Sequence, residues 1–270
     1  MDHYAVVGNP IAHSKSPTIH ALFAEQTGES LVYEKREAPL DDFEASVKTF
    51  FSQANAKGLN VTVPFKEQAW QMCDSRTERA EIAGAVNTLL RDSEGGIVGD
   101  NTDGIGLVTD LKKQGGVLKG KKILIVGAGG AVRGILQPIL RECPAQVSIC
   151  NRTESKAKIL AELVSSLGNV DHGSFESYTT AFDIVINGTS ASLSGDLPPL
   201  SNSVVASHTI CYDMMYGADE TVFNRWARRQ GARMMIDGLG MLVEQAAEAF
   251  YLWRDIRPET EGVMATLRAI

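Results

Sequence analysis

Short apolar runs alternate with amphipathic stretches along the first part of the chain. Tyr4 to Val7, Leu31 to Glu34 and Gly58 to Val63 read as strands, the last stopped by Pro64. Between them, Pro17 stands at the start of a helix carrying Ile19, Leu22 and Phe23, and Asp41 opens another that runs to Phe51. Two short helices, Glu67 to Cys73 and Thr77 to Ala83, precede a hairpin made of Ala85 to Leu90 and Gly96 to Val98. Such alternation with short links predicts a mostly parallel sheet covered by helices.

The alternation continues beyond a helix at Gly104 to Lys113. An apolar run, Ile123 to Val126, breaks into the glycine loop Gly127 to Gly130, and a helical pattern follows from Ala131 to Arg141. Then come a strand, Val147 to Cys150, a helix, Glu154 to Leu167, and strands at Asp183 to Ile186, Thr209 to Tyr212 and Arg233 to Ile236. Ser190 to Ser203, rich in Ser, Gly and Pro, reads as a surface loop. The helix Leu239 to Trp253 carries an apolar stripe, and no strand follows to bury it. It is therefore expected to return to the first domain. The predicted fold is α/β with two domains. Residues 1–103 form an α/β substrate domain, residues 104–237 a Rossmann-type unit, and residues 238–270 the C-terminal helices packing on the first.

The glycine loop changes the picture from fold to chemistry. A pyrophosphate needs bare backbone N–H groups at a helix N-terminus, and a strand–glycine–helix sequence supplies them. Gly127, Ala128, Gly129, Gly130 and Ala131 form the loop, while the third glycine of G-x-G-x-x-G is replaced by Val132. An NAD site usually ends its second strand in Asp or Glu, about 20 residues on, to accept from the ribose hydroxyl. Here the strand ends in Asn151, Arg152 and Thr153, with Lys156 one turn further. Donors and positive charge at that point suit a 2′-phosphate, so the cofactor read from the sequence is NADP.

Composition narrows the partners. With 270 residues, 44% hydrophobic and 22% charged, the chain is of ordinary globular make-up. A net charge of −7 argues against general binding to nucleic acid or an anionic membrane, and no apolar run approaches a membrane span. Four scattered cysteines and five unpaired histidines suggest neither a disulfide frame nor a metal site, and a reducing, cytoplasmic setting is expected.

Polar clusters stand at the ends of predicted elements in the first domain. Ser14 and Ser16 precede the Pro17 helix, where two hydroxyls near a helix N-terminus can cradle a carboxylate or merely cap. Asn60 and Thr62 share one strand face, and Lys66 follows the strand end. Asn87 lies within an apolar segment and must find a partner if buried. Asp100-Asn-Thr-Asp-Gly104 follows a short strand and also fits a helix-capping turn.

Taken in order, these motifs resemble the shikimate dehydrogenases over nearly the whole length. Ser14-x-Ser16, Asn60-Val-Thr-Val-Pro-Phe-Lys66, Gly84-Ala-Val-Asn-Thr88, Gly99-Asp-Asn-Thr-Asp-Gly104, the glycine loop, Asn151-Arg-Thr153 and Asp237-Gly-Leu-Gly-Met241 carry the resemblance. It implies reversible reduction of 3-dehydroshikimate to shikimate with NADPH, on the way to chorismate and the aromatic amino acids. Lys66 and Asp103 would be the catalytic pair. Ser14 and Ser16 would hold the substrate carboxylate, and Thr62, Asn87 and Gln245 the ring hydroxyls, with Asn60 shaping the pocket. The glycine loop and Asn151 to Lys156 would hold NADP, with Met214 and Gly238 near its nicotinamide. Tyr216 and Glu78 are further family-matched positions, the first on the substrate side and the second on the cofactor side. Lys156 stands where many members carry Arg, which keeps charge but loses the planar fork.

Substrate and cofactor on different domains imply hinge closure, with hinges near Asp103 and Gly238. The alternatives are a quinate/shikimate dehydrogenase that also takes NAD, a non-catalytic NADPH-binding regulator, or a tetrahydrofolate dehydrogenase of like fold. Monomer and homodimer are both compatible with the resemblance.

Overall fold

The computed structural model describes residues 1–191 and 195–269. Strand β1 (Asp2–Gly8) buries Tyr4 through Gly8 without a break, as a strand covered on both faces must. Helix α1 (Ser16–Thr27) has Pro17 in its first turn and ends on a left-handed Gly28. Then follow β2 (Leu31–Glu37), α2 (Phe43–Phe51), β3 (Ala56–Val61), α3 (Lys66–Met72), β4 (Ser75–Arg76), α4 (Glu78–Ala83), β5 (Thr88–Arg91) and β6 (Ile97–Asp100). The sheet order is β2-β1-β3-β5-β6-β4, and β5 alone runs antiparallel to its neighbours. Val7, Val47, Phe50, Leu59, Phe65 and Leu89 form the core on one face.

Helix α5 (Asp103–Lys113) leads to β7 (Lys122–Val126), α6 (Gly130–Arg141), β8 (Gln146–Cys150), α7 (Glu154–Leu163) and β9 (Val170–Gly173). The chain continues through β10 (Ile184–Asn187), β11 (Ile210–Asp213), α8 (Val222–Arg229), β12 (Met234–Ile236), α9 (Leu239–Arg254) and α10 (Glu261–Arg268). The second sheet is wholly parallel in the order β12-β11-β10-β7-β8-β9. Counted from β7, that is the doubly wound dinucleotide-binding order, and its reversal point lies beside β7, where the glycine loop begins.

The chain forms two compact units, residues 1–106 with 243–270, and residues 107–242. The divisions fall inside α5 and α9, slightly later than the sequence cuts, because turn signals mark where a helix starts and not where its contacts change. In the first unit, Trp253 of α9 donates from Nε1 to Leu89 O at 3.1 Å, and its ring lies 4.8 Å from that of Tyr4. Residues 243–270 thus belong to the first unit.

Four of the elements named above escape the sequence pattern, the first being the two-residue strand β4. Strand β9 edges its sheet and is half-exposed, so Val170-Asp-His-Gly lacks an apolar run, while α8 and α10 are only two turns long. Helix α7 ends at Leu163, short of the expected Leu167, where Ser165 Oγ donates back to Glu162 O at 2.8 Å. Of the predicted loop Ser190 to Ser203, Ser192 to Ser194 lie outside the described residues.

Candidate active site

In the first unit the strand ends and helix starts bring together one polar cluster. Lys66 opens α3, Asp103 opens α5, and Lys66 Nζ donates to Asp103 Oδ2 at 2.6 Å. Both side chains are partly buried, at 29% and 17% exposure, which leaves the pair reachable yet poorly screened. Asp103 Oδ1 accepts from Asn87 Nδ2 at 2.8 Å. Asn87 is buried and answers the question its apolar setting raises. Its amide also reaches Thr102 Oγ1 at 2.9 Å and Gln245 Oε1 at 3.3 Å, while its Oδ1 accepts the Thr102 N–H at 2.9 Å. Four predicted residues, Lys66, Asn87, Asp103 and Gln245, are therefore joined by direct hydrogen bonds.

Asn60 extends the network from β3. Its Nδ2 donates to Asn87 O and Thr88 Oγ1 at 3.2 and 3.1 Å, and its Oδ1 accepts from Tyr33 OH at 2.7 Å. With both N–H groups engaged, Asn60 offers a ligand only an acceptor. Tyr33 was not singled out from sequence, because its place in the alternating strand β2 gives no chemical signal. Thr62 lies one residue past β3, where its N–H keeps a ladder-type bond to Val7 O at 2.9 Å. Ser16 is the first residue of α1, and its N–H donates to Ser14 Oγ at 3.3 Å. Lys15 supplies no side-chain cap, Pro17 has no N–H and the Ile19 N–H donates to Lys15 O at 3.2 Å, so what this helix start offers an anion is chiefly its two serine hydroxyls.

The second unit holds the other cluster. Gly127 follows β7 at φ 109°, a backbone shape that favours glycine, and donates its N–H to Cys150 O at 2.7 Å. Gly129 caps α6, and a side chain at Gly129 or Gly130 would meet open space. The loop therefore presents backbone donors at a helix N-terminus with no side chain crowding them. Val132, in the third glycine position, is fully buried because the facing residue at the end of β10 is Gly188, where a Cβ would collide with Val132 Cγ2. The close helix–sheet approach survives with the roles of the two sides exchanged.

At the end of β8, Asn151 Nδ2 donates to Thr153 O at 2.9 Å, which shapes the turn into α7. Arg152, Thr153 and Lys156 are exposed. The acidic residue nearest to them, Glu154, faces His172 Nδ1 at 3.5 Å. These residues fit a dinucleotide with a 2′-phosphate: a glycine loop at a helix N-terminus, then two cations, with Asn151-Arg152-Thr153 and no Asp or Glu directly after β8. At the end of β11, Met214 is buried and donates its N–H to Asn187 O at 2.9 Å. Gly238 N–H donates to Met215 O at 3.1 Å, which ties the start of α9 to the same loop.

Two predicted residues belong to the other unit from the groups expected to accompany them. Tyr216 belongs to the second unit with Met214, not to the first-unit cluster, and burial and the Asp237 charge push its phenol up from its ordinary range. Glu78, expected on the cofactor side, opens α4 in the first unit. Among the described residues there is no cluster of side chains that would hold a metal ion. Likewise, no described helix is long and apolar enough to cross a membrane.

A doubly wound sheet with an open glycine loop, joined to a second unit with a lysine–carboxylate pair among buried amides, defines a class: the two-unit, dinucleotide-dependent oxidoreductases. Residues 6–89 match the shikimate dehydrogenase substrate binding domain, 110–194 the shikimate/quinate 5-dehydrogenase model, and 238–268 the shikimate 5′-dehydrogenase C-terminal domain. A shikimate dehydrogenase (NADP(+)) of Hahella chejuensis is 58% identical over 269 residues, covering 99% of both chains. The chain belongs to the shikimate dehydrogenase family.

Solved structures agree. The Ael1 enzyme of Pseudomonas putida superposes with a TM-score of 0.94 at 45% identity, covering 99% of this chain and 98% of that one. The shikimate 5-dehydrogenase of Thermus thermophilus, solved with NADP(H) and shikimate, gives 0.87 at 34% identity over 100% and 99% of the two chains.

Proposed function

We propose that the chain catalyses the reversible, NADP-dependent reduction of 3-dehydroshikimate to shikimate, the first unit holding the substrate and the second the cofactor. The observation that carries this reading is the 2.6 Å Lys66–Asp103 pair, bonded through Asn87 to Gln245. Bound NADPH supplies the hydride that reduces the ketone. Negative charge then gathers on the carbonyl oxygen, and Lys66 Nζ delivers the proton that quenches it. Asp103 holds the ammonium in line and, through Oδ1, fixes the Asn87 amide. In the opposite direction the substrate hydroxyl returns its proton to Nζ.

Ser14 and Ser16, at the N-terminus of α1, hold the carboxylate. Thr62, Asn87 and Gln245 bind ring hydroxyls, and Asn60 contributes its remaining acceptor site. The N–H groups of Gly127 to Ala131 take the pyrophosphate, while Asn151, Arg152, Thr153 and Lys156 take the 2′-phosphate. Met214 and Gly238 line the nicotinamide side, with Tyr216 beside them; Glu78 is carried by family likeness. The reading also takes the enzyme as cytoplasmic and as a monomer or homodimer, consistent with its composition. Arg152 and Lys156 in place of a ribose-binding carboxylate disfavour the NAD-using quinate alternative.

The test is absorbance at the reduced-nicotinamide band with shikimate or quinate, each paired with NADP or NAD. Turnover confined to shikimate with NADP is expected, and Lys66→Ala should lower it on the order of 100- to 10,000-fold. Comparable turnover of quinate with NAD would move the chain to the dual-specificity branch. No turnover with any pair would leave a binding protein.

A further inference from the structure

Asp100 is 1% exposed and ends β6, immediately before the Asn101–Asp103 segment. Its carboxylate is saturated. Oδ1 accepts from Thr77 Oγ1 at 2.6 Å, Arg79 Nε at 2.7 Å and the Asn101 N–H at 2.7 Å, and Oδ2 accepts from Arg79 Nη2 at 2.6 Å. The same Arg79 Nη2 reaches Glu248 Oε1 at 3.1 Å, and Arg257 Nη2 donates to Glu248 Oε2 at 2.9 Å. Two carboxylates and two guanidiniums thus balance in charge. Arg79 on α4 binds the end of β6 on one side and α9 on the other.

Each end of this clamp carries a residue of the proposed site. On the β6 side, Asn101 Oδ1 accepts the Asp103 N–H at 3.1 Å, and the Asp100 carbonyl accepts the Asn87 N–H at 3.0 Å. On the α9 side, Glu248 lies one turn beyond Gln245, on the same helix face. Gln245 Oε1 is 3.3 Å from both Asn87 Nδ2 and Thr102 Oγ1, bonds long enough to be lost by a small shift of either element. A packed apolar contact would bury this region at less cost, whereas a bidentate guanidinium fixes direction and distance. None of these four charged side chains is among the Lys66, Asn87, Asp103 and Gln245 side chains of the site itself.

We infer that Arg79, held between Asp100 and Glu248, is a positioning residue that sets the register of the Asp103 segment against Gln245, an inference that rests on the reading of the site given above. Lysine at this position keeps the charge and loses the fork. Arg79→Lys should therefore lower kcat on the order of 10- to 100-fold, the range a misplacement of about 1 Å produces. Affinity for NADP, read by fluorescence titration, should stay as in the wild type. Glu248→Gln cuts only the α9 side and should raise KM for shikimate more than it lowers kcat.

Side-chain amide resonances of Asn87 and Gln245 provide a readout that needs no turnover. They should move in Arg79→Lys, and the Gln245 signal should move in Glu248→Gln. A lowered melting temperature with unchanged kcat, KM and amide signals in both variants would reduce the clamp to a structural role and overturn the inference. If the wild type itself turns over no substrate, the functional reading fails, and the amide shifts alone decide the clamp. Should Arg79→Lys not fold, Glu248→Gln carries the same decision.

Discussion

His20 lies within an aromatic stack, 4.2 Å from the Tyr33 ring and nearly parallel to it, with Phe23, Phe250 and Trp253 around it. It is 1% exposed, and neither ring nitrogen has a partner among the described residues. Burial lowers its pKa from 6.5 to about 3, with the neighbouring Asn60 amide opposing only in part. Between those values the unfolded chain binds a proton that the folded chain refuses. Stability from this residue is therefore complete above pH 6.5 and drains away as pH falls toward about 3, with a slope up to about 1.4 kcal/mol per pH unit. His20→Phe should flatten the urea-unfolding free energy between pH 6 and 4; a slope equal to the wild type's would show the ring is not what titrates. The Lys66–Asp103 pair was legible in the sequence because motif order carries it. His20 was not, since its imidazole is made costly by rings from β2 and α9 that no local pattern reports.

At the scale of elements, the pairing of Val132 with Gly188 explains why the glycine fingerprint can lose its third glycine. The fingerprint describes one partner of a helix–strand contact, and here the space is left by the other. Strands β7, β8, β10 and β11 were visible as apolar runs because both their faces are covered. Edge strand β9 and the short helices α8 and α10 were not, for want of a long enough period. Helix α9 illustrates the opposite case, since its unpaired stripe announced a distant partner. Trp253 fills the space above Gly58, where any side chain would strike its indole, and anchors on Leu89. Trp253→Ala should cost about 3 kcal/mol. Hydrogen exchange should show lost protection in β1, β3 and β5, with β7 to β12 unaffected; equal loss in both sheets would contradict this division.

For the whole molecule, the consequence lies in how the units are threaded. The first takes residues 1–106 and 243–270, and the second is the continuous stretch 107–242. The sequence shows this insertion only as a last helix without a strand to follow it. On a ribosome adding about 5 to 20 residues per second, the opening segment emerges and then waits roughly 7 to 30 seconds for its missing helices. Meanwhile the inserted unit has every strand it needs and can finish first. A nascent chain arrested with Leu242 just outside the exit tunnel should resist protease across 107–242 and be cut within 1–106. Equal resistance of both segments would mean that α9 is dispensable for the first unit. The face that Phe250 and Trp253 eventually cover is thus the part of this protein most in need of a chaperone while it is being made.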